Sequence, residues 1–317
     1  MLEALRPISR ADIEGITALA AAVRSQDPTE VVVTREMVAA QFDMPGLDIT
    51  RLAYVLPDTS GKLMASVAAV PIPTDDDETV HISWTVHPEH RGEGLDEALL
   101  RFAEDCGGRS RKLPDVPGRF QVGVRVDRRD RIGLLERHGY TATRWFLEME
   151  RSLDGCAPEP ATPSGFTVRP AAETDRDDVF GILEESFRDH WHQAHYTREQ
   201  CEHFYAMMAL APLMTFVART TDGDGAGACI ARVSAERNEQ EGVSEGEIAV
   251  LGVRRHYRKR GLGRALLEHS LAWLAELGLQ SAAIDVDADS QTGADRLYAD
   301  VGFVERRRSV IYMKAMP

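Results

Sequence analysis

The sequence is most informative over Val253-Arg254-Arg255-His256-Tyr257-Arg258-Lys259-Arg260-Gly261-Leu262-Gly263-Arg264-Ala265-Leu266-Leu267. An apolar run, 248–253, leads into this stretch, and an amphipathic helical pattern follows it. The first N–H groups of a helix have no partner within the helix, and its dipole favours an anion there. Glycine lets the backbone approach a phosphate closely, and the basic side chains add positive charge. The stretch therefore predicts a phosphate-binding loop at the start of a helix.

Two common phosphate loops are excluded, because the stretch contains neither G-x-G-x-x-G nor G-K-[ST]. Arg258-x-x-Gly261-x-Gly263 after a strand that ends in valine resembles the acyl-CoA pyrophosphate loop of the GNAT acetyltransferases. A second motif of that family follows a predicted strand, 284–287, and reads Leu297-Tyr298-x-x-x-Gly302-Phe303. The resemblance implies an α/β fold with a mixed α+β sheet that splays after its fourth strand and admits the thioester arm of acetyl-CoA.

Composition narrows the partners and the location. The 317 residues carry a formal net charge of −14, which argues against nucleic acid or an anionic membrane as a partner. No apolar run is long enough for a transmembrane helix, and the N-terminus lacks the parts of a signal peptide. The four cysteines are scattered, with no zinc-ligand spacing. We expect a cytoplasmic protein with reduced thiols and no metal, as a monomer or homodimer.

The chain contains a tandem repeat. Leu5–Asp12 matches Val168–Asp175, and the GNAT-like loop and the second motif each have an earlier copy, at 86–96 and 134–140. Matches in the same order at a nearly constant offset indicate duplication. We expect two tandem GNAT folds, each of order β-α-α-β-β-β-α-β-α-β. The predicted boundaries are 1–152 for the N-terminal unit, 153–164 for a Pro/Gly/Ala linker and 165–317 for the C-terminal unit.

The two copies differ where the chemistry would lie. Asp96 stands where the second copy has Gly263, and a carboxylate about 4 Å from a phosphate costs about 1–4 kcal/mol. Glu93 replaces the basic Arg260, and Leu135 replaces Tyr298. These differences predict that the N-terminal copy is degenerate, binds CoA poorly and transfers nothing, whereas the C-terminal copy is catalytic.

The resemblance assigns roles within the second copy. Tyr298 would protonate the departing CoA thiolate, although a tyrosine on a helix can also serve as core packing. Strand backbone groups would pair with the pantetheine arm, loop amides would hold the pyrophosphate, and Ser290 would open the next helix. The predicted cofactor-binding residues are Leu251, Gly252, Val253, Arg258, Lys259, Arg260, Gly261, Leu262, Gly263, Arg264 and Ser290.

Amine acetylation also needs a group that accepts a proton. The candidates are Glu245, Glu247, Asp285 and Asp287, and we predict Glu247 because strand alternation places it on the face of Leu251 and Val253.

A separate segment, 187–196, is rich in aromatic and imidazole side chains and lies where this family builds its acceptor pocket. Asp189, His190, Trp191 and Asp285 are the predicted substrate-binding residues. A histidine metal site in this segment is the less favoured alternative.

The resulting hypothesis is an acetyl-CoA-dependent N-acetyltransferase. It would acetylate the primary amine of a small-molecule acceptor by direct transfer in a ternary complex, with the active site in the C-terminal unit. The alternative is a non-catalytic protein that binds acyl-CoA or another small ligand as a sensor or scaffold.

Overall fold

The computed structural model describes residues 2–27, 32–73, 77–113, 115–155, 160–188, 191, 197–209, 212–290 and 293–317. Its contacts divide the chain into two compact units. The first unit contains Met1–Thr143, Ala194–Met207 and Val310–Pro317, and the second contains Arg144–Gln193 and Met208–Ser309. Each unit therefore includes chain from both sides of the predicted linker.

The first unit is a twisted sheet with helices. In chain order its elements are β1 Arg6–Pro7, α1 Ile13–Gln26, α2 Arg35–Gln41, β2 Ala53–Pro57, β3 Leu63–Pro73, β4 Glu78–Val86, α3 Leu95–Arg109, β5 Gly118–Arg125 and α4 Arg129–Arg137. The strand β6, Thr141–Ser152, begins here and continues into the second unit. The sheet order of this unit is β1-β2-β3-β4-β5, with the end of the chain's last strand beside β5.

The second unit repeats this order. Its elements are β7 Phe166–Pro170, α5 Arg176–Phe187, β8 Leu213–Thr220, β9 Gly225–Arg232, α7 Ala235–Glu241, β10 Glu245–Val253, α8 Leu262–Glu276, β11 Ser281–Asp287, α9 Ala294–Asp300 and β12 Val304–Ala315. The sheet order is β6-β11-β10-β9-β8-β7. The predicted order of elements is confirmed, and α7 is an addition that the sequence analysis did not predict.

The helix α6, Arg198–Met208, packs elsewhere than its place in the repeat suggests. All but its last residue belong to the first unit. The Gln200 amide nitrogen donates to the Pro45 carbonyl at 2.9 Å, and His203 Nε2 lies 3.0 Å from the Ala40 carbonyl oxygen. The polar side chains of α6 thus hold it against the end of α2 and the loop that follows.

The last strand of each repeat, β6 or β12, contributes residues to the sheet of the other unit. From Phe146 to Ser152, β6 pairs antiparallel with β11 in the second unit. From Val310 onward, β12 belongs to the first unit, where Val310 and Tyr312 are buried in the core. The Tyr312 hydroxyl lies 3.0 Å from Glu136, and the Lys314 ammonium lies 2.8 Å from Glu104. The C-terminal residues therefore complete the sheet of the first unit.

The core of the second unit lies between its sheet and α8. This helix buries one stripe of apolar side chains, namely Leu262, Leu266, Leu267, Leu271 and Leu274. Burying each such leucine contributes about 1.5–3 kcal/mol, which holds the start of α8 firmly against the strands. No helix in the described part of the chain is long and apolar enough to span a membrane.

Candidate active site in the second unit

The sheet of the second unit opens between two parallel strands. β10 and β11 pair only from Glu245 to Glu247 and from Ser281 to Ala283. Beyond these residues β10 continues to Val253 and β11 to Asp287, without a recorded pairing between the two strands in the described residues. The sheet therefore splays at the position that the resemblance implied.

A β-bulge interrupts β10 just before the opening. Ile248 pairs with Ala231 and Val250 pairs with Ile230, so Ala249 is the extra residue. An extra residue exchanges the two faces of a strand for everything that follows. The prediction that Glu247 shares a face with Leu251 and Val253 is therefore wrong, because simple alternation does not cross a bulge.

After the bulge, the backbone N–H and C=O groups of β10 alternate between β9 and the opening. The Arg254 amide donates to the Ala226 carbonyl at 3.0 Å, which sets the alternation of the ladder with β9. The N–H and C=O groups of Leu251 and Val253 consequently point away from β9 and into the opening. Gly252 lies between them, and a Cβ there would approach Ser186 of α5 to 2.9 Å, so this position requires glycine.

The loop after β10 turns its backbone amides toward one point. Lys259 has φ 59° and Gly261 has φ 82°, and alternation of such conformations turns successive N–H groups toward one point. The first bond of α8 runs from the Ala265 amide to the Gly261 carbonyl. The amides of Leu262, Gly263 and Arg264 precede that bond and have no helical partner.

The side chains around this loop have separate tasks. Arg258 donates from Nε to the Val253 carbonyl at 3.0 Å and from Nη2 to the Ser186 carbonyl at 3.2 Å, which fixes the loop against β10 and α5. Arg260 lies over the Tyr257 ring at 5.7 Å, and Arg264 lies 3.4 Å from Glu268. The structure thus places the predicted loop residues together at the start of α8, and Arg258, Arg260 and Arg264 each contact a neighbouring group of the chain.

Tyr298 on α9 lies on the core side of the opening. Its side chain is 6% exposed, and its ring contacts Phe303 edge to face. Burial raises the pKa of the Tyr298 hydroxyl, and the thiol of Cys229 raises it further. Cys229 is the β9 partner of Leu251, so the tyrosine lies close to the strand position that faces the opening.

The start of α9 differs from the prediction in one detail. Gly293, with φ 70°, is the N-cap residue of this helix, whereas Ser290 lies three residues earlier. The Ser290 amide donates to the Asp287 carbonyl, and its carbonyl accepts from the Gly293 amide. Ser290 therefore shapes the turn between β11 and α9 and does not cap the helix.

Four carboxylates were candidates for the proton acceptor, and three of them have arginine partners. Glu245 is buried and paired with Arg306 at 2.6 Å and Arg237 at 2.9 Å, and Asp287 is held by Arg144 at 2.7 Å. Glu247 is paired with Arg232 at 2.7 Å. Each of these ion pairs restricts the movement of its carboxylate.

Asp285 is the exception. It lies on β11 just past the last paired residue, on the same face as Glu247, and directly opposite Glu148 of β6. Its side chain is exposed, and within the described part of the chain no arginine or lysine lies at ion-pair distance from it. Although Asp285 is in contact with solvent, desolvation by the protein packed around it raises its pKa to about 6. The negative charges of Glu148 and Glu247 raise the pKa further, and the positive charges of Arg237 and Arg306 oppose them.

The predicted acceptor segment is only partly visible. Asp189 and His190 lie outside the described residues, as do His192 and His195. Trp191 is described, and the Arg144 guanidinium lies 5.7 Å from its ring centroid. Arg144 also donates to Asp287 and to the Asp289 carbonyl at 2.9 Å, so one arginine joins Trp191 to the end of β11. The sequence analysis missed Arg144, because its distance along the chain gave no signal.

The fold and this site place the chain in a known class. The model of the acetyltransferase (GNAT) family matches residues 21–140 and again 176–303. The chain belongs to this family, and it contains the family's domain twice. The predicted mixed α/β fold in tandem is confirmed, and the protein is an acetyltransferase whose fold implies an acyl-CoA co-substrate.

Several relatives of this chain have the same name. A mycothiol acetyltransferase of Frankia casuarinae is 29% identical, over 96% of this chain and 95% of that protein. One of Geodermatophilus obscurus is 33% identical over 73% of this chain and 72% of its own length. Among solved structures, a GCN5-related N-acetyltransferase from Sphaerobacter thermophilus has a TM-score of 0.72 at 27% identity, covering 98% of this chain and 95% of that one. A tandem GNAT protein from the clavulanic acid biosynthesis pathway has a TM-score of 0.76 at 14% identity, covering 99% and 98%, and so shares the fold.

Proposed function

We propose that the second unit transfers an acetyl group from acetyl-CoA to the primary amine of a small polar acceptor, by direct transfer within a ternary complex. The acceptor class follows from the relatives named mycothiol acetyltransferases, so we propose an amine related to mycothiol. The main support is the opening between β10 and β11, because strand backbone groups and helix amides meet there. We also propose that the protein acts in the cytoplasm.

The chain's own groups suit acetyl-CoA. We propose that the amides from Lys259 to Arg264 hold the pyrophosphate, where the converging amides and the helix dipole favour an anion. The backbone of Leu251 and Val253 points into the opening and can pair with the amide groups of the pantetheine arm. Bound acetyl-CoA supplies an activated acetyl group as a thioester. An N–H of β10 beside the thioester carbonyl would stabilise the charge that develops on its oxygen.

Proton movement involves two groups on opposite faces of the sheet. The amine nitrogen bonds to the acetyl carbon, the carbon–sulfur bond breaks, the amine loses a proton and the sulfur gains one. We assign the sulfur's proton to the Tyr298 hydroxyl, which burial keeps protonated at neutral pH. We assign the amine's proton to Asp285 in place of Glu247, because Arg232 holds Glu247 while Asp285 has a pKa raised to about 6.

The decisive test measures release of the CoA thiol from acetyl-CoA with a mycothiol-related amine and a panel of other primary amines. Tyr298→Phe should lower kcat by about 10²-fold or more while the affinity for acetyl-CoA stays unchanged, because only a proton donor is lost. Tyr140→Phe is the matched control, since Tyr140 is a buried tyrosine of the first unit. Unchanged turnover in Tyr298→Phe would remove this residue from the mechanism, and wild-type CoA binding without turnover on any amine would favour a sensor.

A further inference from the structure

The first unit has the same opening in its sheet. β4 and β5 pair in parallel only from Glu78 to His81 and from Gly118 to Gln121, although β4 continues to Val86. The His87 amide donates to the Met64 carbonyl at 2.7 Å, which sets the alternation of β4 with β3. The carbonyl of Trp84 therefore points away from β3 and into the opening. Trp84 occupies the position that Leu251 has in the second unit.

Here the opening is filled by the unit's own side chains. Arg131 of α4 donates from Nη2 to the Trp84 carbonyl at 3.0 Å, and its guanidinium lies 4.9 Å from the Trp84 ring centroid. Trp84 is 4% exposed. Arg131 stands at the position of Ala294 in the second unit, so a long cation replaces a methyl group where the pantetheine arm would pass.

The start of α3 is closed by a second contact. The Trp84 indole N–H donates to the Asp96 carboxylate at 2.7 Å. Asp96 has the position of Gly263, the second residue of the helix. A negative charge thus already lies beside the helix N-terminus, and the indole holds it there.

The loop arginine of the first unit, Arg91, forms an ion pair with a carboxylate of the chain. Arg91 stands where the second unit has Arg258, and its Nη2 lies 2.6 Å from Oδ2 of Asp27. Arg128 reaches the same oxygen at 3.4 Å. Asp27 is the C-cap residue of α1, so the loop arginine of the first unit is bound to a carboxylate of the chain.

We infer that the acyl-CoA slot of the first unit is closed by its own residues, and that the chain binds a single acyl-CoA. Arg131 satisfies the strand carbonyl, Asp96 occupies the helix entry and Asp27 neutralises the loop arginine. Repulsion by Asp96, which the sequence predicted, is only one of these three contacts. The inference of one acyl-CoA per chain rests on the proposed function, because it requires the second unit to bind acyl-CoA.

Calorimetric titration of the full-length protein with CoA tests this inference. The wild type should bind one CoA per chain, with any second site about 100-fold weaker or more. Trp84→Leu/Asp96→Gly/Arg131→Ala gives the first unit the second unit's own residues at all three positions, and should add a second site. Arg131→Ala alone is the milder variant and should give weak second-site binding.

Reciprocal substitution assigns the sites. Gly263→Asp places the first unit's residue at the start of α8 and should abolish the single wild-type site, whereas adding the triple substitution should restore one site, in the first unit. Two equal sites in the wild type, or one site in both the triple variant and Arg131→Ala, would overturn the inference. A wild type that binds no CoA would instead refute the proposed function, which keeps the two failures distinct.

Discussion

At the scale of single residues, the distribution of arginines decides which carboxylate can accept a proton. Glu148, Asp285 and Glu247 lie on neighbouring strands of one sheet face, and like charges in such positions repel each other. Arg306 and Arg307 hold Glu148, and Arg232 holds Glu247. Desolvation and the repulsion by these two neighbours therefore both raise the pKa of Asp285, which lies between them.

Asp285→Asn should lower kcat/KM by about 10²–10⁴-fold, because the amide accepts no proton from the amine. In the wild type, activity should rise with pH through about 6, since only the deprotonated Asp285 is active and the surrounding protein, Glu148 and Glu247 raise its pKa. The pH dependence of kcat/KM checks both points, and the limb near pH 6 should be absent from the variant.

The matched control for this prediction is Glu247→Gln. It should keep the limb but move it to lower pH, because one of the charges that raise the pKa of Asp285 is removed. If the limb persists in Asp285→Asn and vanishes in Glu247→Gln, the proton acceptor is Glu247, as the sequence predicted.

At the scale of elements, one ion pair recurs in both repeats. Arg6 pairs with Asp12 at 2.6 Å, and Arg169 pairs with Asp175 at 2.7 Å, joining the first strand of each unit to the turn before its first helix. Both carboxylates also accept a backbone amide. Asp175 has a second arginine, Arg219, at 2.6 Å, so the second unit has the stronger version.

Asp175→Asn should lower the free energy of unfolding by about 2–3 kcal/mol, and Asp12→Asn by about 1–2 kcal/mol. The first value is larger because Arg219 is mostly buried, while Arg6 and Arg169 are nearly half exposed and water screens their pairs. Urea unfolding of the two variants measures the difference. Equal losses would show that Arg219 contributes nothing.

The contribution of the Arg6–Asp12 pair to the stability of the fold depends on pH. Hydrogen bonding to Arg6 lowers the pKa of Asp12 to about 2, below its ordinary value of 3.8. A lowered pKa stabilises the fold above the unfolded value, and that contribution is lost as the pH falls from about 4 toward 2. The difference between the wild type and Asp12→Asn in urea should therefore shrink over that interval.

At the scale of the whole molecule, the sequence predicted the repeated elements and the loop, because periodicity and motifs are local. It did not predict the bulge at Ala249, since an extra residue has no marker in an apolar run. It also did not predict the exchange of the last strands, because residues 141–152 and 304–315 look alike as strands and only packing selects their partners. The contact of Arg131 with Trp84 was missed for the same reason, because 47 residues separate the two.

Removing Val310–Pro317 should destabilise the first unit by about 3–6 kcal/mol, because Val310 and Tyr312 are buried in its core. Hydrogen exchange of the shortened protein should rise in β4 and β5 more than in β8 and β9. Deletion of Pro317 alone is the control and should change neither. Faster exchange confined to the second unit would contradict the assignment of these residues to the first.

The position of the last strand also determines when the first unit can fold during synthesis. The first unit needs Val310–Pro317, yet these residues are synthesised after all the other residues of both units. A ribosome adds about 5–20 residues per second, so roughly ten to forty seconds pass between Arg125 and Val310. Throughout that time the outer edge of β5 has no partner strand, and such an edge invites pairing with other chains. The first unit thus begins to be synthesised before the second but can finish folding only after Val310–Pro317 have emerged from the ribosome.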